Sequence, residues 1–206
     1  MEPDKVTMEA SAAVMAECDV CVATGGPGMV KAAYSSGKPA FGVGAGNCQC
    51  LIDTDADVKK IAPMIVTGRT QDNGVLCTCE QTVIVHESMY DDLMKELQAN
   101  NVYYYDKKED VDKLRETLFP GGELNKKCVG MLATDIAALA GIDCDPDARA
   151  LMAACDVAGV AEDLSKEKLF PVIAAYKYKT WEEGVDIVVA NLDNMDKLSR
   201  DRKSVV

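Results

Sequence analysis

Short apolar runs alternate with amphipathic segments along this chain, and the alternation predicts an α/β fold. Residues 20–23 predict a buried strand, residues 29–36 predict a helix after a glycine-rich turn, and residues 39–43 predict a second strand. This order is a βαβ unit, so the sheet is expected to be parallel. Thr7 is the predicted N-cap of a helix that precedes the unit and ends near Glu17.

The same two periodicities continue to the end of the chain without an internal repeat. Asp72, Asn73 and Gly74 interrupt the helical pattern, and Ser88 and Thr180 are the predicted N-caps of two later helices. The predicted helices are residues 55–70, 88–99, 106–118, 134–140, 145–154 and 181–191, and the predicted strands are residues 81–86 and 169–176.

Composition and charge narrow the range of partners. Of the 206 residues, 48% are hydrophobic and 27% are charged, which is enough apolar material for a core. The formal net charge of −12 disfavours nucleic acid as a partner, because binding it requires clustered Lys and Arg. Neither a membrane span nor a signal peptide is recognisable, so a cytoplasmic location without membrane contact is expected.

The cysteines are predicted to be reduced thiols, because their number, nine, is odd and no secretory signal is seen. Cys18 and Cys21 form a CxxC pattern, and Cys48 and Cys50 form a CxC pattern. Zinc sites usually combine Cys with His or use two well-spaced Cys pairs, and His86 is the only histidine. No metal site is therefore predicted.

A glycine-rich turn follows the first predicted strand, in the run Ala23-Thr24-Gly25-Gly26-Pro27-Gly28-Met29. Backbone N–H groups at a helix N-terminus, together with the helix dipole, favour an anion such as a phosphate. The spacing differs from the common dinucleotide motif GxGxxG. A phosphate loop and a plain tight turn remain equal alternatives on this pattern alone.

Cys77 lies between a predicted helix and a predicted strand, in the run Asp72-Asn73-Gly74-Val75-Leu76-Cys77-Thr78-Cys79. A thiol at such a junction has the position of a nucleophile, because thiolates attack carbonyl carbons well. His86 is interpreted as a surface residue and not as its base, which disfavours a cysteine protease. The alternative is that Cys77 fills space in the core, as cysteines commonly do.

Four segments, in this order, resemble the CoA-acylating (acetylating) aldehyde dehydrogenases of the aldehyde dehydrogenase superfamily. The resemblance covers most of the chain, from about Met8 to Asn191. Each segment alone is weak, but together they are highly specific. The segments are residues 23–40, 42–47, 72–81 and 165–172.

The resemblance implies an aldehyde dehydrogenase-like α/β fold with two domains. Residues 1–60 are expected to be the C-terminal part of a Rossmann-type NAD-binding domain, and residues 61–206 an incomplete catalytic domain with the cysteine. The family's first βαβ units and its oxyanion asparagine are expected to lie upstream of this chain. Family members are homo-oligomers, so the intact enzyme is expected to be one.

In this family the cysteine at the position of Cys77 attacks the aldehyde, NAD takes the hydride, and CoA removes the acyl group from the resulting thioester. Glu167 matches the glutamate that holds the cofactor ribose, and Thr24, Gly25 and Gly26 match the turn beside the cofactor. Cys79 is interpreted as a neighbour of the nucleophile. Acetaldehyde is the expected substrate, with succinic semialdehyde as its rival.

Hydrolytic relatives carry a glutamate base in the loop that matches residues 42–46, and this chain has no carboxylate between Asp19 and Asp53. Water is then a poor attacker of a thioester, whereas a thiol ionises more readily, so transfer to CoA is favoured. Gly42 is expected to need a backbone conformation that glycine adopts easily.

Two other hypotheses remain open at this point. The chain departs from the family pattern at Gln71, where an aromatic residue is usual. Since the upstream part of the cofactor domain is expected to be missing, the second hypothesis is an inactive fragment or an interaction module of such an enzyme. A thiol-redox protein that uses Cys77 and Cys79 is the third hypothesis, although a disulfide ring between them would be strained. The sequence does not indicate a bacterial microcompartment.

Overall fold

The computed structural model describes residues 7–44 and residues 46–194, which fall into two compact units. The first unit holds the predicted βαβ arrangement, and its two strands are parallel with Cys21 opposite Ala40. Thr7 is the N-cap of the first helix, as predicted, and its hydroxyl accepts a hydrogen bond from the Ala10 N–H. The elements are α1 (Met8–Glu17), β1 (Cys21–Thr24), α2 (Pro27–Tyr34) and β2 (Ala40–Val43).

The second unit is a five-stranded parallel sheet with the strand order β3-β4-β7-β6-β5. The α/β fold class is confirmed. The elements are β3 (Cys48–Ile52), α3 (Val58–Thr70), β4 (Glu80–His86), α4 (Glu87–Ala99), β5 (Val102–Tyr105), α5 (Lys108–Leu118), α6 (Ala133–Ala140), β6 (Ala150–Ala154), β7 (Val172–Tyr178) and α7 (Trp181–Asp193).

Apolar side chains cover both faces of this sheet. On one face, Leu114 of α5, Ile136 of α6 and Leu151 of β6 belong to one buried apolar cluster. On the other face, Ile65 of α3 and Leu93 of α4 belong to a second cluster. A parallel sheet that is buried on both sides has continuous apolar strands, which is the reason why periodicity alone identified them poorly.

Three sequence predictions in this unit were wrong. Residues 145–154 were predicted to be a helix, but β6 occupies the end of this range, because its Ala-rich run is buried in mid-sheet. Strands β3 and β5 were missed. Ser88 is not the N-cap of α4, since the cap is His86, whose Nδ1 accepts a hydrogen bond from the Ser88 N–H.

Thr180 caps α7, as predicted, by accepting a hydrogen bond from the Glu183 N–H at 3.3 Å. Within residues 7–44 and 46–194, no helix has both the length and the apolar character needed to cross a membrane.

Candidate active site

Three adjacent strands of the second unit begin at one edge of the sheet, and the segments that lead into them meet there. Gly46 precedes β3, Cys77 precedes β4, and Glu167 precedes β7. Because the strands are parallel neighbours, residues that are far apart in sequence lie together at their amino ends. The topology thus brings Cys77 and Glu167, two of the predicted site residues, to the same edge.

The turn before Cys77 has an unusual backbone. Asp72 and Asn73 both have φ of +49°, and Gly74 has φ of +74°. Asp, Asn and Gly are the residues that tolerate this left-handed region, which explains their presence here. A Cβ on Gly74 would lie 2.7 Å from the carbonyl oxygen of Phe170, so the turn packs directly against the segment that leads into β7.

Cys77 is partly exposed, and its backbone carbonyl is contacted by two residues at the entry of β3. Its carbonyl oxygen accepts a hydrogen bond from the Cys48 thiol at 3.6 Å. A Cβ on Gly46 would lie 2.7 Å from the same oxygen and 3.7 Å from the Cys77 Cβ. Only glycine therefore lets the chain that enters β3 pass this close to Cys77.

Cys79 has a different environment from Cys77. Its side chain is 3% exposed, and its thiol points to the Gln71 carbonyl at 3.9 Å. Burial raises the pKa of Cys79, which disfavours the thiolate. The interpretation of Cys79 as a neighbour of the nucleophile is consistent with this position.

Gly46 also contacts the predicted cofactor residue. Its N–H donates to Oε1 of Glu167 at 3.1 Å. The same residue therefore touches the backbone of Cys77 and the carboxylate of Glu167, and it fixes the spacing between them.

A buried network of amide side chains holds this arrangement in place. Asn47 donates to the carbonyl of Ser165 at 2.8 Å, which ties the entry of β3 to the segment before Glu167. Gln49 donates to Asn47, and Asn191 of α7 donates to Gln49 at 2.9 Å. The sequence analysis missed these residues, although Asn and Gln within an apolar stretch are a signal of a buried polar network.

A buried arginine binds the backbone of the segment that contains Glu167. Arg69, at the end of α3, is fully buried, and its Nη2 donates to the carbonyls of Lys168 and Phe170. Burial lowers the pKa of Arg69 to about 10. Its Nε and Nη1 form no hydrogen bond with the described residues. Arg69 thus binds the backbone that immediately follows Glu167 in the sequence.

Two further charged residues surround Arg69. Glu80 packs against Gly68, where any Cβ would collide with its carboxylate, and burial raises the pKa of Glu80. Lys168 is fully buried and donates to the carbonyls of Leu164 and Lys166. Burial, and then the Arg69 charge, lower the pKa of Lys168 to about 7. Sequence analysis did not find this cluster, because charges are seldom fully buried.

His86 lies at the far end of β4 from Cys77, between Ser88 and the carbonyl of Lys179. This position excludes it as a base for Cys77, in agreement with its interpretation as a surface residue.

In the first unit, Thr24, Gly25 and Gly26 form the turn between β1 and α2. The Gly25 N–H donates to the Val43 carbonyl at 3.0 Å, which ties the turn to the end of β2. Gly26 is the N-cap of α2 and provides no side-chain cap, and a Cβ there would meet nothing within 4 Å. The start of α2 is therefore open to an anion in the way the phosphate-loop interpretation requires.

Gly42 was expected to need a backbone conformation that favours glycine, and this reason was wrong. Its φ is not among the positive ones, so no special backbone conformation requires glycine. A Cβ there would instead lie 2.5 Å from Val30 Cγ1 and 2.9 Å from Tyr34 Cε2. Glycine is needed because α2 packs directly on β2.

Comparison with known proteins gives a consistent picture. Residues 19–109 match the model of the aldehyde dehydrogenase family. The chain is 44% identical, over 183 residues, to the acetylating succinate-semialdehyde dehydrogenase of Clostridium kluyveri, covering 89% of this chain and 40% of that protein. It therefore spans about two fifths of the length of this relative.

Solved structures agree with this match. An acetylating aldehyde dehydrogenase from Geobacillus thermoglucosidasius superposes with a TM-score of 0.85 at 38% identity, covering 91% of this chain and 42% of that one. A propionaldehyde dehydrogenase from Rhodopseudomonas palustris, with bound CoA and an acylated cysteine, superposes with a TM-score of 0.81 at 28% identity, covering 90% and 42%.

Proposed function

Because residues 19–109 match the aldehyde dehydrogenase family model and the chain is 44% identical to an acetylating relative, we propose that it contributes the nucleophile to an enzyme that oxidises a short aldehyde to an acyl-CoA. The oxidant is NAD and the acyl acceptor is CoA. The observation that carries the proposal is the contact of Gly46 with both the Cys77 backbone and the Glu167 carboxylate.

Cys77 is the nucleophile in this reaction. Its thiolate adds to the carbonyl carbon of the aldehyde, so that a C–S bond forms and the carbonyl electron pair moves to oxygen. Bound NAD would supply the hydride acceptor, and the oxygen electron pair would re-form the carbonyl as the hydride leaves that carbon. The product is a thioester on Cys77. The CoA thiolate then attacks the thioester, the bond to Cys77 breaks, and the enzyme thiol is released.

The residues around Cys77 favour a thiol over water as the final acceptor. Hydrolysis needs a base to activate water, whereas CoA ionises without one. The Glu167 carboxylate accepts the Gly46 N–H, and Glu80 is packed against Gly68. Oε2 of Glu80 is buried against Gly68 and accepts no hydrogen bond from the described residues, and Glu167 is assigned below to the cofactor, so the proposal uses neither carboxylate as a base for water.

For the cofactor, we assign two groups of residues. In the first unit, the open N-terminus of α2 after Thr24, Gly25 and Gly26 suits a phosphate of NAD. In the second unit, the Glu167 carboxylate has the acceptor chemistry that a ribose hydroxyl requires. The proposal includes an NAD-binding domain, predicted as residues 1–60, and a catalytic domain, predicted as residues 61–206, with the boundary moved to before β3 because that strand pairs with β4.

The same proposal covers the setting of the enzyme. Catalysis through a thiolate requires a reduced cysteine, which fits a cytoplasmic location. The intact enzyme is a homo-oligomer in this proposal, and acetaldehyde or succinic semialdehyde is its substrate.

The last step can be tested in reverse, without NAD. Incubation with acetyl-CoA transfers the acetyl group to Cys77, and intact-mass spectrometry with peptide mapping detects the adduct. We expect one acetyl group at Cys77, none in Cys77→Ser, and an undiminished amount in the matched control Cys79→Ser. Labelling at Cys79 instead would support a different thiol chemistry. The absence of any adduct would support the alternative of an inactive fragment or interaction module.

A further inference from the structure

A cleft lies at the carboxyl ends of the strands, opposite to the amino ends where Cys77 lies. This cleft has a volume of about 770 Å³ and is bordered by the carboxyl ends of β5, β6 and β7. That edge is the customary place for ligands in open parallel sheets, and the volume lies in the range of small-molecule sites. The proposed acyl-transfer chemistry uses none of the residues in this cleft.

A buried hydroxyl without a strong hydrogen-bond partner lies in the wall of the cleft. Tyr176 is 2% exposed, and its hydroxyl forms no hydrogen bond with the described residues. The Cys155 thiol is close enough to interact with this hydroxyl, but a thiol is a weak hydrogen-bonding group and leaves most of the hydroxyl's capacity unused. A buried hydroxyl rarely lacks a good hydrogen-bond partner, so a ligand in the cleft that hydrogen-bonds to Tyr176 would satisfy it.

The guanidinium of Arg115 is already paired with two carboxylates of the chain. Its Nε and Nη2 bind the two carboxylate oxygens of Glu162, both at 2.7 Å, and its Nη1 binds Asp112 at 2.5 Å. Lys108 binds the other oxygen of Asp112. An anionic ligand would therefore have to break these ion pairs.

Negative charge remains at the other side of the cleft. Tyr104, Asp106 and Asp156 all line the cleft, and burial, followed by the charges of Asp106 and Asp156, raises the pKa of Tyr104. Tyr104 and Tyr90 share a hydrogen bond of 2.9 Å between their hydroxyl groups. Of the residues that line the cleft, five are acidic and three are basic, so an organic cation is the ligand with complementary charge.

The chain itself shows how an ammonium group binds there. The Lys177 ammonium lies over the ring of Tyr90, 4.2 Å from its centroid, in a cation–π contact. One alkylammonium group is thus already seated in the cleft. We infer that the cleft binds an aliphatic polyamine, with one ammonium group near Asp106 and Asp156 and another donating to the Tyr176 hydroxyl.

Calorimetric titration with spermidine at physiological salt tests this inference. We expect saturable binding to the wild-type chain. Tyr176→Phe removes only the hydroxyl, and we expect it to weaken binding about 5-fold, as the loss of one hydrogen bond implies. Asp156→Asn should weaken binding by a similar factor. Asp135→Asn, which removes the same charge from the exposed face of α6, should leave the affinity unchanged.

Lys177→Met provides an independent arm, because it removes the ammonium group that competes for the Tyr90 ring. We expect it to bind spermidine more tightly than the wild type, and more tightly than Lys126→Met, which changes the net charge equally at a distant exposed position. Absence of saturable binding would overturn the inference. So would equal affinities in Asp156→Asn and Asp135→Asn, because attraction by net charge alone would then explain the heat.

Discussion

Replacement of Gly46 by Ala tests the geometry of the proposed acyl-transfer site most directly. The new Cβ would lie 2.7 Å from the Cys77 carbonyl oxygen, whereas ordinary contact begins at 3.4 Å, so the two must separate by about 0.7 Å (3.4 − 2.7). The obstacle is backbone and cannot rotate away. The movement therefore displaces Cys77, Glu167 or both.

A displacement of this size is large for catalysis. Misplacement of a reacting group by about 1 Å can reduce a rate about 100-fold, so we expect acetyl transfer from acetyl-CoA to Cys77 to slow by about 10- to 100-fold. The rate is measured by quenched-flow sampling and intact-mass spectrometry. Peptide mapping confirms that the residual acetyl group is on Cys77.

The control for this experiment separates local displacement from general destabilisation. Gly141 caps α6 with φ of +64°, and a Cβ there would meet nothing within 4 Å. Gly141→Ala should therefore reduce the free energy of unfolding by about 1 kcal/mol and leave the acetylation rate unchanged. A Gly46→Ala rate within twofold of the wild type would refute the argument that this contact sets the position of Cys77.

Three further predictions concern thiol reactivity and the buried charges. Near neutral pH, a small alkylating reagent should modify Cys77 well before Cys79, because Cys79 is buried and its pKa is raised; peptide mapping that finds Cys79 first would contradict the assignment. Arg69→Met should slow acetylation of Cys77, since it releases the carbonyls of Lys168 and Phe170, and Arg69→Lys should restore part of the rate if position matters; equal rates in all three proteins would exclude this role. The pKa of Lys168 is about 7 in the folded chain, against an ordinary value of 10.5. Between these two pH values the unfolded chain carries a proton on Lys168 that the folded chain lacks. This residue therefore makes the free energy of unfolding increase as the pH rises from about 7. Urea unfolding at pH 7 and pH 8.5 should show a smaller rise in Lys168→Met than in the wild type, and an identical pH dependence would contradict the low pKa.

Local signals in the sequence predicted part of the fold well. The β1–α2–β2 unit and the caps Thr7 and Thr180 depend on neighbouring residues, and the structure confirms them. Strand β6 was mistaken for a helix because Ala, Leu and Met favour helices, while its burial in mid-sheet depends on distant strands. Tertiary contacts decided that element.

The candidate site divides in the same way. Cys77 and Glu167 were selected from motifs in the sequence, and their roles stay predictions. The contact between Gly46 and Cys77 depends on how strands β3 and β4 are placed side by side, which no local pattern records. Arg69 was equally invisible, because a fully buried arginine that binds backbone carbonyls leaves no periodic signal.

The strand order β3-β4-β7-β6-β5 has a consequence for biosynthesis. Strand β7 lies between the pairs β3-β4 and β5-β6, yet the ribosome makes it after all four of them. A nascent chain that has not yet released residues 172–178 holds two separate strand pairs with unsatisfied edges at β4 and β6, which are targets for chaperones or for aggregation. The segment with Glu167 joins Cys77 only when that central strand inserts, so a stalled translation product carries the thiol without its neighbouring carboxylate.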